Sequence, residues 1–186
     1  MNINLPTWLT LMRIIIIPVL VVLFFLPWSG ANELCTLLFV LAALTDWLDG
    51  YLARKWDEAT PFGAFLDPVA DKLMVAVVLV LLVQADPTPW LAIPAAIIIG
   101  REITIASLRE WMAELGERGK VEVSWIGKLK TIAQMVSIGM LLYGTDIGFI
   151  PVRTIGYILL YCAALLTLWS MVHYLRAALP SMMKSP

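Results

Sequence analysis

Four aspartates, Asp46, Asp49, Asp67 and Asp71, stand out in a chain of 186 residues of which only 15% are charged. Asp46 and Asp49 lie three positions apart and Asp67 and Asp71 four apart, spacings that put each pair on one face of a helix. Both pairs fall at the ends of apolar runs, where a carboxylate is costly unless it is paired or bound to a metal. A short turn around Lys55 to Phe62 joins the two runs antiparallel and brings all four acids to one spot. Converging carboxylates repel one another unless divalent cations neutralise them. Oxygen ligands without Cys or His select Mg2+, Mn2+ or Ca2+ over zinc. Two such ions, Mg2+ or Mn2+, about 3.5–4 Å apart, suit a displacement at phosphorus, because they polarise the phosphoryl group and stabilise the leaving oxygen. The competing explanation is salt bridging to Arg54, Lys55 and Lys72, but three bases do not easily satisfy four acids while also facing solvent.

The elements that position these acids follow from composition. Apolar residues make up 61% of the chain, against roughly 45–50% in a soluble domain, and a globule of this size cannot hide that excess. A spanning helix needs about 20 mostly apolar residues. Six segments qualify: Leu9 to Pro27, Glu33 to Arg54, Phe65 to Gln84, Pro89 to Met112, Trp125 to Tyr143 and Val152 to Arg176. The expectation is one all-α membrane domain over residues 1–186, a polytopic bundle of six transmembrane helices with its active site at the cytoplasmic ends of the second and third.

Met1 to Trp8 reads as an interfacial lead-in rather than part of a cleaved signal, with Arg13 snorkelling or pairing with an acid. If both termini are cytoplasmic, every Lys and Arg except Arg153 falls nearest the cytoplasmic side, as the positive-inside bias requires. A formal net charge of -1 excludes a strongly basic nucleic-acid binder. Cys35 and Cys162 read as packing residues, His173 as packing or interfacial, and the mixed-sign stretch Glu114 to Glu122 as a solvated helix end and loop. The tryptophans near span ends read as interface anchors.

Gly50, Ala53 and Gly63 lie beside the acids and leave room for a ligand to approach the helices. Taken together, Asp46-x2-Asp49-Gly50-x2-Ala53-Arg54-x8-Gly63-x3-Asp67-x3-Asp71 resembles the signature of the CDP-alcohol phosphatidyltransferase family. The resemblance implies a six-helix membrane enzyme, commonly a homodimer, that moves a phosphatidyl group from a CDP-linked lipid to an alcohol with loss of CMP. It implies that Asp46, Asp49, Asp67 and Asp71 hold the two metals and that Asp71 also deprotonates the acceptor hydroxyl. Gly50 and Arg54 match positions that contact the CDP moiety, with Ala53 and Gly63 beside them, and Thr60 stands where a hydroxyl residue meets the nucleotide. A guanidinium suits a pyrophosphate and a hydroxyl can donate to it; interfacial snorkelling of Arg54 and loop capping by Thr60 are the alternatives.

The stretches Asn4 to Thr10, Arg101-Glu102-Ile103, Leu108 to Gly116 and Ser124 to Thr131 are similar to those of bacterial members that use CDP-diacylglycerol and sn-glycerol 3-phosphate. This implies an enzyme of the inner, cytoplasmic membrane. A phosphorylated acceptor needs a cationic pocket, and Arg101, Arg109, Lys128 and Lys130 lie in the cytoplasmic halves of the fourth and fifth spans. Structural ion pairing or anchoring is their alternative role, with Glu102 a partner for Arg101; Lys128 and Lys130 point to different helix faces. Two other functions remain open at this point. One is a sibling transferase with serine, inositol phosphate or phosphatidylglycerol as acceptor. The other is a divalent-cation transporter, which predicts acids spread through the membrane depth rather than gathered at one face.

Overall fold

In lipid, an apolar run can satisfy its backbone polar groups internally only by coiling into a helix, and helices are what form. A computed structural model describes residues 5–56, 61–114 and 125–182; inside the helices, the side chains of Asp49, Gly50, Ala53, Arg54 and Lys128, among others, fall outside the description, as does Thr60. Among the described residues six helices follow one another: α1 (Leu5–Phe24), α2 (Ala31–Trp56), α3 (Pro61–Ala85), α4 (Pro89–Glu114), α5 (Trp125–Tyr143) and α6 (Val152–Met182). All six expected segments are helical, but several ends move. The expected lead-in before Leu9 is partly the first turn of α1, and α6 continues past Arg176, first through the good helix formers Ala177, Ala178 and Leu179, to Met182.

The ends have local causes. Pro61 and Pro89 occupy the first position of their helices, where a missing N–H costs nothing. At the end of α1 the N–H groups of Phe25 and Leu26 turn back to the carbonyls of Val22 and Leu23, a tightened last turn. Gly144, at φ 69°, stops α5 in the left-handed conformation while its N–H bonds the Met140 carbonyl at 3.1 Å.

α1 packs on α2 and α3, α4 on α6 and α3, and α5 on α6, α2 and α3. The shared core draws on every helix, including Leu20, Phe39, Val78, Ile98, Ile138 and Leu160. α5 and α6 approach closely at Gly156, where a β-carbon would sit 3.0 Å from Leu141 Cγ; small residues let membrane helices pack this way. Ile15, Val22, Val80, Trp90, Ile103, Ile132, Ile158, Leu165 and Trp169 point outward and exposed, a surface suited to lipid rather than water. Stretches of α1, α4 and α6 are long and apolar enough to cross a membrane, namely Thr7–Phe24, Pro89–Glu114 and Val152–Arg176; that of α5, Leu129–Tyr143, is shorter. Cys35 is buried as expected. Cys162 is not: it lies exposed on α6, among the outward-facing Ile158 and Leu165, so packing is the wrong reading for it. His173 is exposed too, which leaves the interfacial role.

Helices alternating in direction gather the N-terminal halves of α1, α3 and α5 and the C-terminal halves of α2, α4 and α6 at one end. That end holds the candidate site. At the far end Asp86, between α3 and α4, accepts 2.5 Å bonds from Arg153 Nη2 and from the Tyr157 hydroxyl, both on α6. The Tyr157 hydroxyl and then the Arg153 guanidinium hold the Asp86 carboxyl below the usual carboxylate range.

Candidate active site

α2 and α3 deliver the acids. Asp46, Asp67 and Asp71 all line one cavity of about 630 Å³ at the site end of the bundle. Its other side is built by α4, α5 and α6, which contribute Arg101, Arg109, Lys130, Thr131, Gln134 and Tyr174. Acids and bases therefore face each other across one space, although the sequence separates the three aspartates from Arg101, Arg109 and Lys130 by 30 residues or more. Gly63 is buried at the start of α3. Asp49, Gly50, Ala53 and Arg54 are carried on the last turns of α2 and Lys128 on the first turn of α5; their side chains, like all of Thr60, lie outside the described residues.

Asp46 and Asp67 are already engaged by α1. Arg13, only 2% exposed, places Nη1 2.6 Å from Asp46 Oδ1. The buried Thr10 hydroxyl donates to Asp67 Oδ1. Thr10 and Arg13 are three residues apart, one face of α1, so a single helix side braces an acid on each of two neighbours. Of the two roles open to Arg13, snorkelling or pairing with an acid, the structure shows pairing, and the partner is one of the four aspartates. Among the described residues no three His, Cys, Asp or Glu side chains close tightly enough to grip one ion. The donor set nonetheless suits a hard divalent cation: three carboxylates open to one polar cavity, with Asp49 one helical turn from Asp46.

The basic side is organised around Glu102. Its Oε1 accepts from Arg101 Nη1 at 2.7 Å and from Lys130 Nζ at 2.8 Å. Arg101 and Lys130 are 7% and 3% exposed, and burying two cations that deeply requires a shared counter-charge. Arg101 Nη2 also donates to Ser170 Oγ of α6 at 3.0 Å. The guanidinium groups of Arg101 and Arg109 lie 5.9 and 5.7 Å from the centre of the Tyr174 ring, within cation–π range. Three of the four expected phosphate-binding cations thus share the cavity, Lys130 among them.

Sequence reasoning missed several members. Thr10, Gln134 and Tyr174 were not singled out, and Glu102 was seen only as a partner for Arg101. Gln134 follows Lys130 by four residues, so helical spacing could have placed it on the same face. Nothing local to Tyr174 marks it, because its neighbours on the cavity wall come from α4.

A second, larger space of about 740 Å³ opens beside the first between α2 and α5. Asp46, Thr131 and Met135 line both. From them it runs past Phe39, Val40, Val136 and Met140 to Ile147 and Ile150 near the far end, and its walls are almost wholly apolar.

A family model described as CDP-alcohol phosphatidyltransferase matches residues 3–169. Curated relatives named CDP-diacylglycerol--glycerol-3-phosphate 3-phosphatidyltransferase include one from Yersinia pestis (strain Pestoides F), 55% identical over 178 residues, covering 96% of each chain. One from Sodalis glossinidius is 56% identical over 178 residues, again 96% of each chain. One from Haemophilus influenzae is 54% identical over 183 residues, 98% of this chain and 97% of its own.

Proposed function

Since this chain belongs to the CDP-alcohol phosphatidyltransferase family, we propose that it transfers the phosphatidyl group of CDP-diacylglycerol to sn-glycerol 3-phosphate, giving phosphatidylglycerophosphate and CMP. One observation carries the acceptor: Arg101, Arg109 and Lys130 line the same cavity as Asp46, Asp67 and Asp71. An acceptor that bears a phosphate needs cations, and it needs them within reach of the acids that serve the reacting phosphorus.

Asp46, Asp49, Asp67 and Asp71 would hold two divalent ions, Mg2+ or Mn2+, which when bound supply Lewis-acid stabilisation of the charge on the phosphoryl and leaving oxygens. The remaining work belongs to the chain. Thr10 and Arg13 fix the Asp67 and Asp46 carboxylates. Arg54, Gly50, Ala53, Gly63 and Thr60 receive the CDP moiety. Arg101, Arg109, Lys130 and Lys128 hold the acceptor phosphate, and Asp71 takes the proton of the attacking hydroxyl as it displaces CMP at the lipid-side phosphorus. The apolar space between α2 and α5 suits an acyl chain, since it begins at Asp46 and its walls beyond that carboxylate are almost wholly hydrocarbon and uncharged.

This reading sets all six helices across the inner membrane as a multi-pass bundle, both termini in the cytoplasm, and pairs two chains as a homodimer. The polar substrates arrive from water and the lipid from the bilayer. CMP release by purified protein, measured across a panel of acceptors with and without chelator, tests it. Turnover with sn-glycerol 3-phosphate that stops on chelation and returns with Mg2+ or Mn2+ is expected. Turnover with serine, inositol phosphate or phosphatidylglycerol in its place would overturn the acceptor while keeping the metal site.

A further inference from the structure

Gln134 is 4% exposed, lines the acid–base cavity, and its Oε1 accepts no hydrogen bond among the described residues. The same wall carries a second unsatisfied atom, the buried Nε of Arg101. An orphaned acceptor and an orphaned donor thus belong to two side chains that line one cavity, and native proteins rarely leave such groups unmatched. Gln134 sits four residues beyond Lys130 on α5, so the two share a face with Gln134 about 6 Å deeper along the axis. A ligand whose phosphate lies at Lys130 and Arg101 therefore reaches Gln134 with a group one short carbon chain away. Nothing described fixes the carboxamide oxygen from behind, and a half-turn of the terminal torsion exchanges it with the nitrogen.

We propose that Gln134 binds the non-reacting hydroxyl of a phosphorylated polyol acceptor and so selects acceptors that carry a hydroxyl between the phosphate-bearing and attacking carbons. The inference rests on the acceptor assigned above and adds the residue that reads the middle of the molecule. A carboxamide fits the task because a hydroxyl both donates and accepts, and a carboxamide offers both complements at one place. Lys130 and Arg101 cannot supply this discrimination, because as cations they donate only and grip any phosphate.

The test compares sn-glycerol 3-phosphate with 3-hydroxypropyl phosphate, which lacks the middle hydroxyl, in the full-length protein and in Gln134→Leu. CMP release gives kcat/KM for each acceptor. The unsubstituted protein should favour sn-glycerol 3-phosphate by about 10-fold or more, as loss of one buried hydrogen bond implies. Gln134→Leu should lower kcat/KM for sn-glycerol 3-phosphate by a similar factor, leave the deoxy acceptor within about 2-fold, and leave KM for CDP-diacylglycerol unchanged. A general loss of structure would depress both acceptors equally and keep their ratio, so an unchanged ratio overturns the role of Gln134. Should Gln134→Leu fail to fold, Gln134→Asn gives the same readout, because its shorter carboxamide cannot reach and the ratio must still fall. If the unsubstituted protein turns over sn-glycerol 3-phosphate but the ratio does not move, only this inference is lost. If it uses another acceptor instead, the acceptor reading fails first and takes this one with it.

Discussion

Arg13 and Asp46 form a lopsided ion pair, and the lopsidedness is measurable. The Arg13 side chain is 2% exposed and that of Asp46 39%, with 2.6 Å between Nη1 and Oδ1. Replacing Asp46 by Asn removes a counter-charge from a guanidinium that has almost no contact with solvent. Breaking a fully buried pair costs about 3–5 kcal/mol, and a hydrogen bond to a charged group contributes about 1.5–3. With one partner half wet, about 2–3 kcal/mol is the expected loss. Replacing Arg13 by Met instead leaves a carboxylate that water already reaches, and the loss should be about 1 kcal/mol. For a chain of this size these convert to roughly 4–12 °C and 2–4 °C in Tm. The double variant Arg13→Met/Asp46→Asn should be more stable than Asp46→Asn alone, because it removes the buried charge together with its partner. Thermal unfolding in detergent micelles with chelator present reads all four proteins without a metal contribution to the comparison. An Arg13→Met variant that melts below Asp46→Asn, or a double variant below both, would refute the claim that burial of the guanidinium dominates.

Other consequences follow from the same network and its surroundings. Glu102→Gln leaves Arg101 and Lys130 without their shared charge, so the variant should lose about 3–5 kcal/mol; inorganic phosphate, which neutralises the two cations, should raise its melting temperature more than it raises that of the unsubstituted protein. At the far end the folded-state pKa of Asp86 is depressed, so its contribution is complete above the unfolded value of about 3.9 and disappears as pH falls through the lower folded value. Asp86→Asn should therefore cost about 1 kcal/mol at neutral pH, with the gap to the unsubstituted protein closing toward pH 3 in unfolding titrations. Gly156→Val places a branched side chain where even a β-carbon would lie 3.0 Å from Leu141 Cγ and 3.3 Å from Met140 Cβ; a loss of about 1–3 kcal/mol in the same unfolding assay is expected.

The helices were legible because an apolar run placed in lipid has one option: all six expected segments are helical, although among the described residues only stretches of α1, α4 and α6 are long and apolar enough to cross a membrane. The three aspartates that the structure brings to one cavity, Asp46, Asp67 and Asp71, drew notice for a related reason: charge at the end of an apolar run is costly enough to need a purpose. What the sequence does not contain is the pairing across helices. Arg13 and Asp46 are 33 residues apart and Lys130 and Glu102 are 28 apart, and no periodicity links members of different helices. Lys130 illustrates the limit. Spacing shows that Lys128 and Lys130 cannot share a face, but only the packing of α5 beside α4 and α6 puts Lys130 at the cavity. Thr10 and Gln134 escaped notice because an uncharged polar residue in an apolar run costs less than a charge and so advertises itself less.

The distribution of polarity along the bundle also bears on the transporter reading that the acids alone left open. A conducted ion needs ligands or water at every depth. On α3, beyond Asp71 and Lys72, the inward side chains are Met74, Val75, Val78, Leu79, Leu81 and Leu82, all buried and apolar. On α5 the polar side chains Lys130, Gln134 and Ser137 give way to Ile138, Leu141 and Leu142, and on α6 the buried hydroxyls of Ser170 and Thr167 give way to Ala164, Ala163 and Leu160. The next acid, Asp86, lies at the opposite end and is held by Arg153 and Tyr157. Between the two ends stands a shared hydrophobic core to which every helix contributes. Such a plug blocks a charge that must cross, whereas a transferase needs its polar atoms on one side only and gains a dry wall beneath the reacting phosphorus. The open apolar space between α2 and α5 reaches through the same depth without a charged group beyond Asp46, which suits a hydrocarbon tail and defeats an ion.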